Sequence, residues 1–295
     1  MYFCDTIKER RCFFISPKLE VILADHLGFC YGVKRAIKIA RENASTGKNS
    51  RTLGPIIHNP QMVERLKDEG VGYVDDLSEM SPGDTVIIRS HGVGPDVYQK
   101  ASDGGIDLVD ATCPHVRKAQ ISAKTLTEEG YKVIIVGERK HPEVQSIFEW
   151  SNRSAVVVET EAEAELQPVV ERLGIVSQTT FSGDKFRSIV MRLLDKSREI
   201  KILRTICDAT DKRQAAAIKL ASEVDVMLVI GGKNSANTTR LFQLCEKKCR
   251  TYHIETAEEL RPQWFEHIKK IGITAGASTP DWIIKEVYEQ CQKKQ

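Results

Sequence analysis

Residues 107–123 read DLVDATCPHVRKAQISA: a short strand-like run, then Cys113, then a stretch of helical period whose first turns carry Arg117, Lys118 and Ala119. The same order recurs twice. VILADHLGFCYGVKRAIKIA at 21–40 sets Cys30 ahead of Lys34, Arg35 and Ala36, and IKILRTICDATDKRQAAAI at 200–218 sets Cys207 ahead of Lys212, Arg213 and Ala215. The cysteines stand 83 and 94 residues apart with 88 residues after the last, so the chain divides into three near-equal units. Runs rich in Val and Ile alternate with helical patterns at 33–44, 116–129 and 213–223, which predicts an α/β fold with parallel sheets. The expected organisation is an N-terminal arm at 1–19, followed by three similar small α/β units at 20–112, 113–206 and 207–295 in a pseudo-threefold arrangement around one centre.

Each cysteine is followed 28 residues later by a polar group that closes an apolar run: His58, His141 and Ser235. A second apolar run in each unit ends in VIIRSHG with His91, GIVSQTTFS with Thr179 and Thr180, and GITAGASTP with Ser278. Open parallel sheets bind ligands beyond the carboxyl ends of their strands, where loops present side chains without disturbing the ladder. Three converging units therefore bring three cysteines and six polar clusters to one place. A single cysteine at a strand end is ordinarily a small buried hydrophobe. Three in register are ligands to a shared centre, and the groups at the matching positions can donate to an anion.

The 43 Lys and Arg residues against 41 Asp and Glu leave a formal charge of +2, too little for the overall field that nucleic acid or acidic membranes select. An anion must be held locally. The opening MYFCDTIKERRCFF is broken by Asp5, Lys8, Glu9, Arg10 and Arg11 and lacks the apolar core of a secretory signal. VIIV at 133–136 and VMLVI at 226–230 are far shorter than the roughly 20 residues that cross a bilayer. A soluble, cytoplasmic protein is expected, and its eight cysteines point to metal binding or chemistry rather than disulfides. No G-x-G-x-x-G follows a strand, and GGKN at 231–234 lacks the spacing of a phosphate loop, so no bound nicotinamide or flavin is expected.

LGFCYGVKRAI, IIHNP, RSHGV, DATCP, HPEV, SQTTFS, GGKNSANTTRL and TAGASTPD, in this order, resemble the 4-hydroxy-3-methylbut-2-enyl diphosphate reductases, the last enzymes of the non-mevalonate isoprenoid pathway. The resemblance runs from about Val21 to Val287. It implies one [4Fe–4S] cluster per subunit held by Cys30, Cys113 and Cys207 alone, with the fourth iron left as a Lewis acid for the substrate's allylic hydroxyl. It also implies an external electron-carrier protein of ferredoxin or flavodoxin type, with cleavage giving isopentenyl and dimethylallyl diphosphates. Carried over by position, Glu143 matches the proton-relay carboxylate and Thr179 the threonine that hydrogen-bonds the substrate oxygen. His58, His91, Ser235, Asn237 and Ser278 match the diphosphate donors, with His141 nearer the hydroxymethyl group. Without the resemblance Glu143 reads as a solvated loop carboxylate. His26, His115, His253 and His267 fall outside the register and read as capping or satisfied loop residues.

Several features depart from the pattern. Ser235, Ala236 and Asn237 stand where many members of the family have Ser-Ser-Asn, so one hydroxyl is absent. Cys4 and Cys12 precede the matching region, Cys245 and Cys249 are expected to be structural, and Cys291 falls in a polar tail without an obvious partner. Trp150, Trp264 and Trp282 read as packing residues. An enzyme of the quinolinate synthase type would share three cysteines and an anionic substrate, but HPEV and TAGASTPD point away from it. Outside enzymes, the alternatives are an iron–sulfur sensor and a metal-free binding protein with core thiols.

Overall fold

The computed structural model describes residues 19–45 and 49–293; of the arm expected at 1–19, all but Leu19 lies outside the described residues, and Cys4 and Cys12 with it. The described residues open with β1 (Glu20–Leu23) and α1 (Tyr31–Ala44), followed by β2 (Ser50–Leu53), α2 (Pro60–Asp68), β3 (Gly72–Val74), β4 (Thr85–Ile88), α3 (Pro95–Asp103) and β5 (Asp107–Asp110). Next come α4 (Pro114–Glu128), β6 (Lys132–Val136), α5 (Pro142–Trp150), β7 (Val156–Val158), α6 (Glu161–Glu165), β8 (Val170–Ser177), α7 (Gly183–Leu193) and β9 (Ser197–Ile202). The last part holds α8 (Asp208–Ala221), β10 (Val226–Ile230), α9 (Ala236–Cys245), β11 (Arg250–Ile254), β12 (Lys270–Ala275) and α10 (Asp281–Lys293).

Among the described residues the strands form three four-stranded sheets, β5-β4-β2-β3, β9-β8-β6-β7 and β1-β12-β10-β11, with every pairing parallel. Written from the edge strand that leads into a cysteine, the three orders are equivalent. Central strands are covered on both faces, which is why they read as continuous apolar runs: every residue of Val226–Ile230 is at 0% exposure. Each fully buried Val, Ile or Leu contributes roughly 1.5–3 kcal/mol.

Division of the sequence at 20, 113 and 207 puts β1 with the first unit, but its hydrogen bonds put it in the third sheet, where Val21 pairs with Ile271 and Leu23 with Ile273. The chain thus passes from the third sheet through Cys30 to α1, whose Ala36, Ile37 and Ala40 pack with Ile57 and Ile87 of the first unit. It passes from β5 through Cys113 to α4 over the second sheet, and from β9 through Cys207 to α8 over the third. Cys30, Cys113 and Cys207 therefore each lie on a crossing between units, and β1 closes the ring.

The tail reading of Cys291 needs correction. It lies in α10, fully buried in the third core beside Ile284 and Val287, although its sequence neighbours are polar. Cys245 is also buried, its sulfur facing the Ala217 carbonyl at 3.8 Å, in keeping with a structural role. Trp150 donates to the Val93 carbonyl at 2.8 Å, Trp264 stacks on Tyr252, and Trp282 lies under the Arg65 guanidinium, joining α10 to α2. No helix among the described residues is long and apolar enough to cross a membrane.

Candidate active site

Cys30, Cys113 and Cys207 are the N-cap residues of α1, α4 and α8, and none of these helices has a side-chain cap hydrogen bond. A helix start leaves N–H groups without backbone partners. Here they meet sulfur: those of His115 and Val116 approach Cys113, and those of Ala209 and Thr210 approach Cys207. Each cysteine N–H is anchored to a loop that follows a strand, Cys30 on the Ala277 carbonyl at 3.2 Å, Cys113 on Ser90 at 3.0 Å and Cys207 on Thr179 at 2.9 Å. These loops follow β12, β4 and β8, the same strand in each sheet.

Burial first, with negative charge on Cys30 and Cys207 adding to it, pushes the Cys113 thiol up to about 11 against the lowering effect of the His115 and Val116 N–H groups. Burial raises Cys207 too, with Cys30 adding to it. The three sulfurs thus feel one another. Close approach depends on Gly32, where a Cβ would stand 2.5 Å from Cys113 Sγ.

Beside the cysteines stand His58, His91 and His141, with ring centroids 4.5–5.6 Å apart. Burial, seconded by the charge of Arg89, lowers the His58 pKa. Burial is also the first cause for His141, lowered to about 3, and for His91, lowered well below its usual value; neighbouring imidazoles and Arg89 add to both. All three are neutral near pH 7. His141 Nδ1 accepts from the Glu143 N–H at 3.2 Å, which leaves its ring proton on Nε2. Three imidazoles this close can hold a metal ion. One observation favours an anion instead: Arg89 projects positive charge onto all three rings, and the buried His58 Nε2 and His91 Nδ1 are left without hydrogen-bond partners beside it.

Glu143 is 1% exposed, which overturns its reading as a solvated loop carboxylate. It accepts the Thr179 N–H at 2.6 Å and the Thr179 hydroxyl at 2.8 Å. Burial raises its pKa to about 7, against the lowering effect of those two bonds. Near neutral pH it can therefore give up a proton through the hydroxyl it touches.

A cavity of about 90 Å³ joins these groups, lined by Cys30, Cys113, His58, His91, His141, Glu143, Thr179, Thr180, Ser235, Asn237 and Ser278, with Val33, Ile57, Val116 and Ala277 as its apolar wall. Cys207 is absent from the lining and joins the group through its proximity to the other two sulfurs. Ser235 is the N-cap of α9, accepting from Thr238 N–H at 3.4 Å, and Ser278 donates to the His58 carbonyl at 3.1 Å. Asn237 is 5% exposed and neither its Nδ2 nor its Oδ1 has a partner. Ala236 offers no donor, as its side chain requires. An open cleft of about 740 Å³ adjoins the cavity, sharing Ile57 and His58 with it. His26, His115 and His267 are exposed and away from the cavity, and His253 faces the Gly231 carbonyl at 2.9 Å, as satisfied loop or strand residues do.

Sequence reasoning missed Arg89 and Arg213. Arg89 sits two residues before His91 inside RSHGV, with a buried Nε that lacks a partner. Arg213 is 4% exposed and feels the sulfurs of Cys30 and Cys207. A periodicity signal existed for it, because Thr210, Ala217 and Leu220 on the same helical face are buried as well.

A family model described as LytB protein matches residues 21–292. The chain belongs to the LytB family. Among curated LytB relatives, the 4-hydroxy-3-methylbut-2-enyl diphosphate reductase of Geobacter sp. (strain M21) is 49% identical over 273 residues, covering 92% of this chain and 96% of that protein. The reductase of the same name from Aquifex aeolicus (strain VF5) is 48% identical over 280 residues, covering 93% and 96%. A solved structure titled as (E)-4-hydroxy-3-methyl-but-2-enyl diphosphate reductase, the terminal enzyme of the non-mevalonate pathway, is 47% identical with a TM-score of 0.69, covering 93% of this chain and 99% of its own. A Plasmodium falciparum LytB relative, titled as the E-1-hydroxy-2-methyl-but-2-enyl-4-diphosphate reductase, superposes with a TM-score of 0.88 at 28% identity over 92% of this chain and 88% of its own.

Proposed function

We propose that the chain catalyses the two-electron, two-proton removal of the hydroxyl of 4-hydroxy-3-methylbut-2-enyl diphosphate, releasing water and isopentenyl or dimethylallyl diphosphate. Family membership with relatives of this name supports the reaction. The observation that carries the site is the meeting of three helix-capping cysteines with the buried Glu143–Thr179 pair and a set of neutral, partly unpartnered donors.

The residues fit a [4Fe–4S] cluster held by Cys30, Cys113 and Cys207. Three sulfurs lie together at the positive ends of three long helices, and the buried Arg213 beside two of them has no carboxylate partner among the described residues. Bound there, the cluster supplies electrons one at a time and a Lewis-acidic iron without a protein ligand. The electrons come from a separate ferredoxin- or flavodoxin-type carrier, and the enzyme works in the cytoplasm.

The chain's own groups do the rest. Thr179 Oγ1, hydrogen-bonded to Glu143, is placed to donate to the departing oxygen and to be resupplied by the Glu143 carboxyl. His141 is held neutral with its proton on Nε2, a donor for the hydroxymethyl end of the substrate. His58, His91, Asn237, Ser235 and Ser278 surround the diphosphate. The unpaired His58 Nε2, His91 Nδ1 and Asn237 Nδ2 replace hydration the anion loses, each charge-assisted bond contributing about 1.5–3 kcal/mol, while the Ser235 and Ser278 hydroxyls line the same cavity. Val33, Ile57, Val116 and Ala277 cover the hydrocarbon and exclude water.

The direct test is turnover by the anaerobically purified protein with a chemical one-electron reductant, followed by product analysis. Both five-carbon diphosphates form with the wild type, and both form roughly 10²–10⁴-fold more slowly with Glu143→Gln that retains its iron. Turnover unchanged in that variant would remove Glu143 from the proton path.

A further inference from the structure

We infer that Arg213 is a positioning residue for the cluster, a buried cation whose counter-charge is the Cys30 and Cys207 sulfurs, and that its charge raises the cluster's reduction potential. The inference rests on the cluster reading above. Arg213 is six residues past Cys207 on α8, on the face where Thr210, Ala217 and Leu220 are buried, so helix packing alone calls for an apolar residue there. A guanidinium stands there instead at 4% exposure.

Its bonds do not neutralise it. Nη2 donates to the Gly28 carbonyl at 2.9 Å and Nη1 to the Ala209 carbonyl at 3.3 Å, and Nε lacks an acceptor. Among the described residues no carboxylate bears on it. The negative groups that favour its charge are Cys30 and Cys207, opposing the burial that disfavours it. Arg117 on α4 shows the contrast, because it pairs with the carboxylate of Asp110. A buried charge is tolerated when paired, and two metal-bound thiolates supply the pairing that no carboxylate among the described residues provides.

The grip on Gly28 adds position to charge. Gly28 lies two residues before Cys30 with φ of +75°, and a Cβ there would meet Ile284 at 3.0 Å and Asp281 at 3.1 Å. The bond from Arg213 reaches the loop of Cys30 from the helix of Cys207, so one side chain ties together two of the three ligands. An electron added to the cluster increases the negative charge that Arg213 faces. The reduced state gains more from the cation than the oxidised state does, which raises the potential.

The test is a redox titration followed by electron paramagnetic resonance on the loaded wild type, R213Q and R213K, after iron and sulfide analysis of each. R213Q keeps a polar side chain but carries no charge and is too short to reach the Gly28 carbonyl from the position of Nη2, so R213K, which is charged, serves as its control. R213Q should keep its cluster and titrate at a more negative potential, whereas R213K should stay near the wild type. An R213Q potential equal to the wild type's overturns the inference. If R213Q fails to accumulate, R213K decides: it loses the guanidinium fork but keeps the charge, so a potential clearly more negative than the wild type's overturns the inference that the charge sets it. A wild-type protein without iron and sulfide would instead overturn the cluster reading.

Discussion

Glu143 lies at 1% exposure with its two oxygens on the Thr179 N–H and hydroxyl, and burial raises its pKa to about 7. Its folded pKa lies above the unfolded value, so the folded chain holds this proton where the unfolded chain has lost it. The stabilisation is complete below about pH 4.5 and is lost as pH rises towards 7. The same group is the proton donor, so kcat/KM should fall as pH rises through about 7. Glu143→Gln should keep the cluster, remove that limb of the profile and lose roughly 10²–10⁴-fold in kcat. A profile with the same limb in the variant would contradict the assignment. Gly32→Ala tests the sulfur geometry: its Cβ would stand 2.5 Å from Cys113 Sγ, so iron content should drop with the fold intact by circular dichroism. Full iron occupancy would show that the approach is not needed.

At the scale of elements, six helix starts face the centre, and what caps each one differs. Cys30, Cys113 and Cys207 cap α1, α4 and α8, whereas Asn59, His141 and Ser235 cap α2, α5 and α9. Asn237, in the first turn of α9, has two buried polar atoms without partners, each costing about 1–3 kcal/mol while no ligand is present. Asn237→Ala should therefore leave the ligand-free melting temperature equal or higher while KM for the diphosphate rises roughly 10-fold or more. A destabilised variant with unchanged KM would make Asn237 a packing residue. The alternation of strand and helix, the cysteine repeat and the histidine register were all legible in the sequence, because each is a local pattern recurring three times. The pairing of β1 was not: Val21 and Ile22 carry nothing that selects β12, 250 residues away, over a strand of the first unit. The burial of Cys291 was partly legible, since Ile284, Val287 and Cys291 follow helical spacing behind polar neighbours. The burial of Glu143 and Arg89 depends on three units meeting, which no local pattern encodes; for Arg213 the helical spacing with Thr210, Ala217 and Leu220 marked a buried face but not the sulfurs its charge meets.

For the whole molecule, three sheets with the same strand order are joined at three cysteines and closed by an N-terminal strand in the C-terminal sheet. Removing residues through Leu23 should expose the β12 edge, with Ile271 and Ile273, and yield aggregated protein without iron; a soluble, loaded truncation would show that ring closure is dispensable. The cleft beside His58 leaves the cavity reachable from outside, and controlled protonation requires bulk water to be excluded once substrate is bound. The radius of gyration by small-angle scattering should therefore fall when the diphosphate is added. The central claim is that the three cysteines hold a cluster with one iron left to the substrate. It is tested most directly by Mössbauer spectroscopy of anaerobically purified, iron-57-labelled protein before and after 4-hydroxy-3-methylbut-2-enyl diphosphate is added. One distinct iron site that changes its parameters on addition is the predicted result; four equivalent thiolate-ligated irons, or no iron, would contradict it.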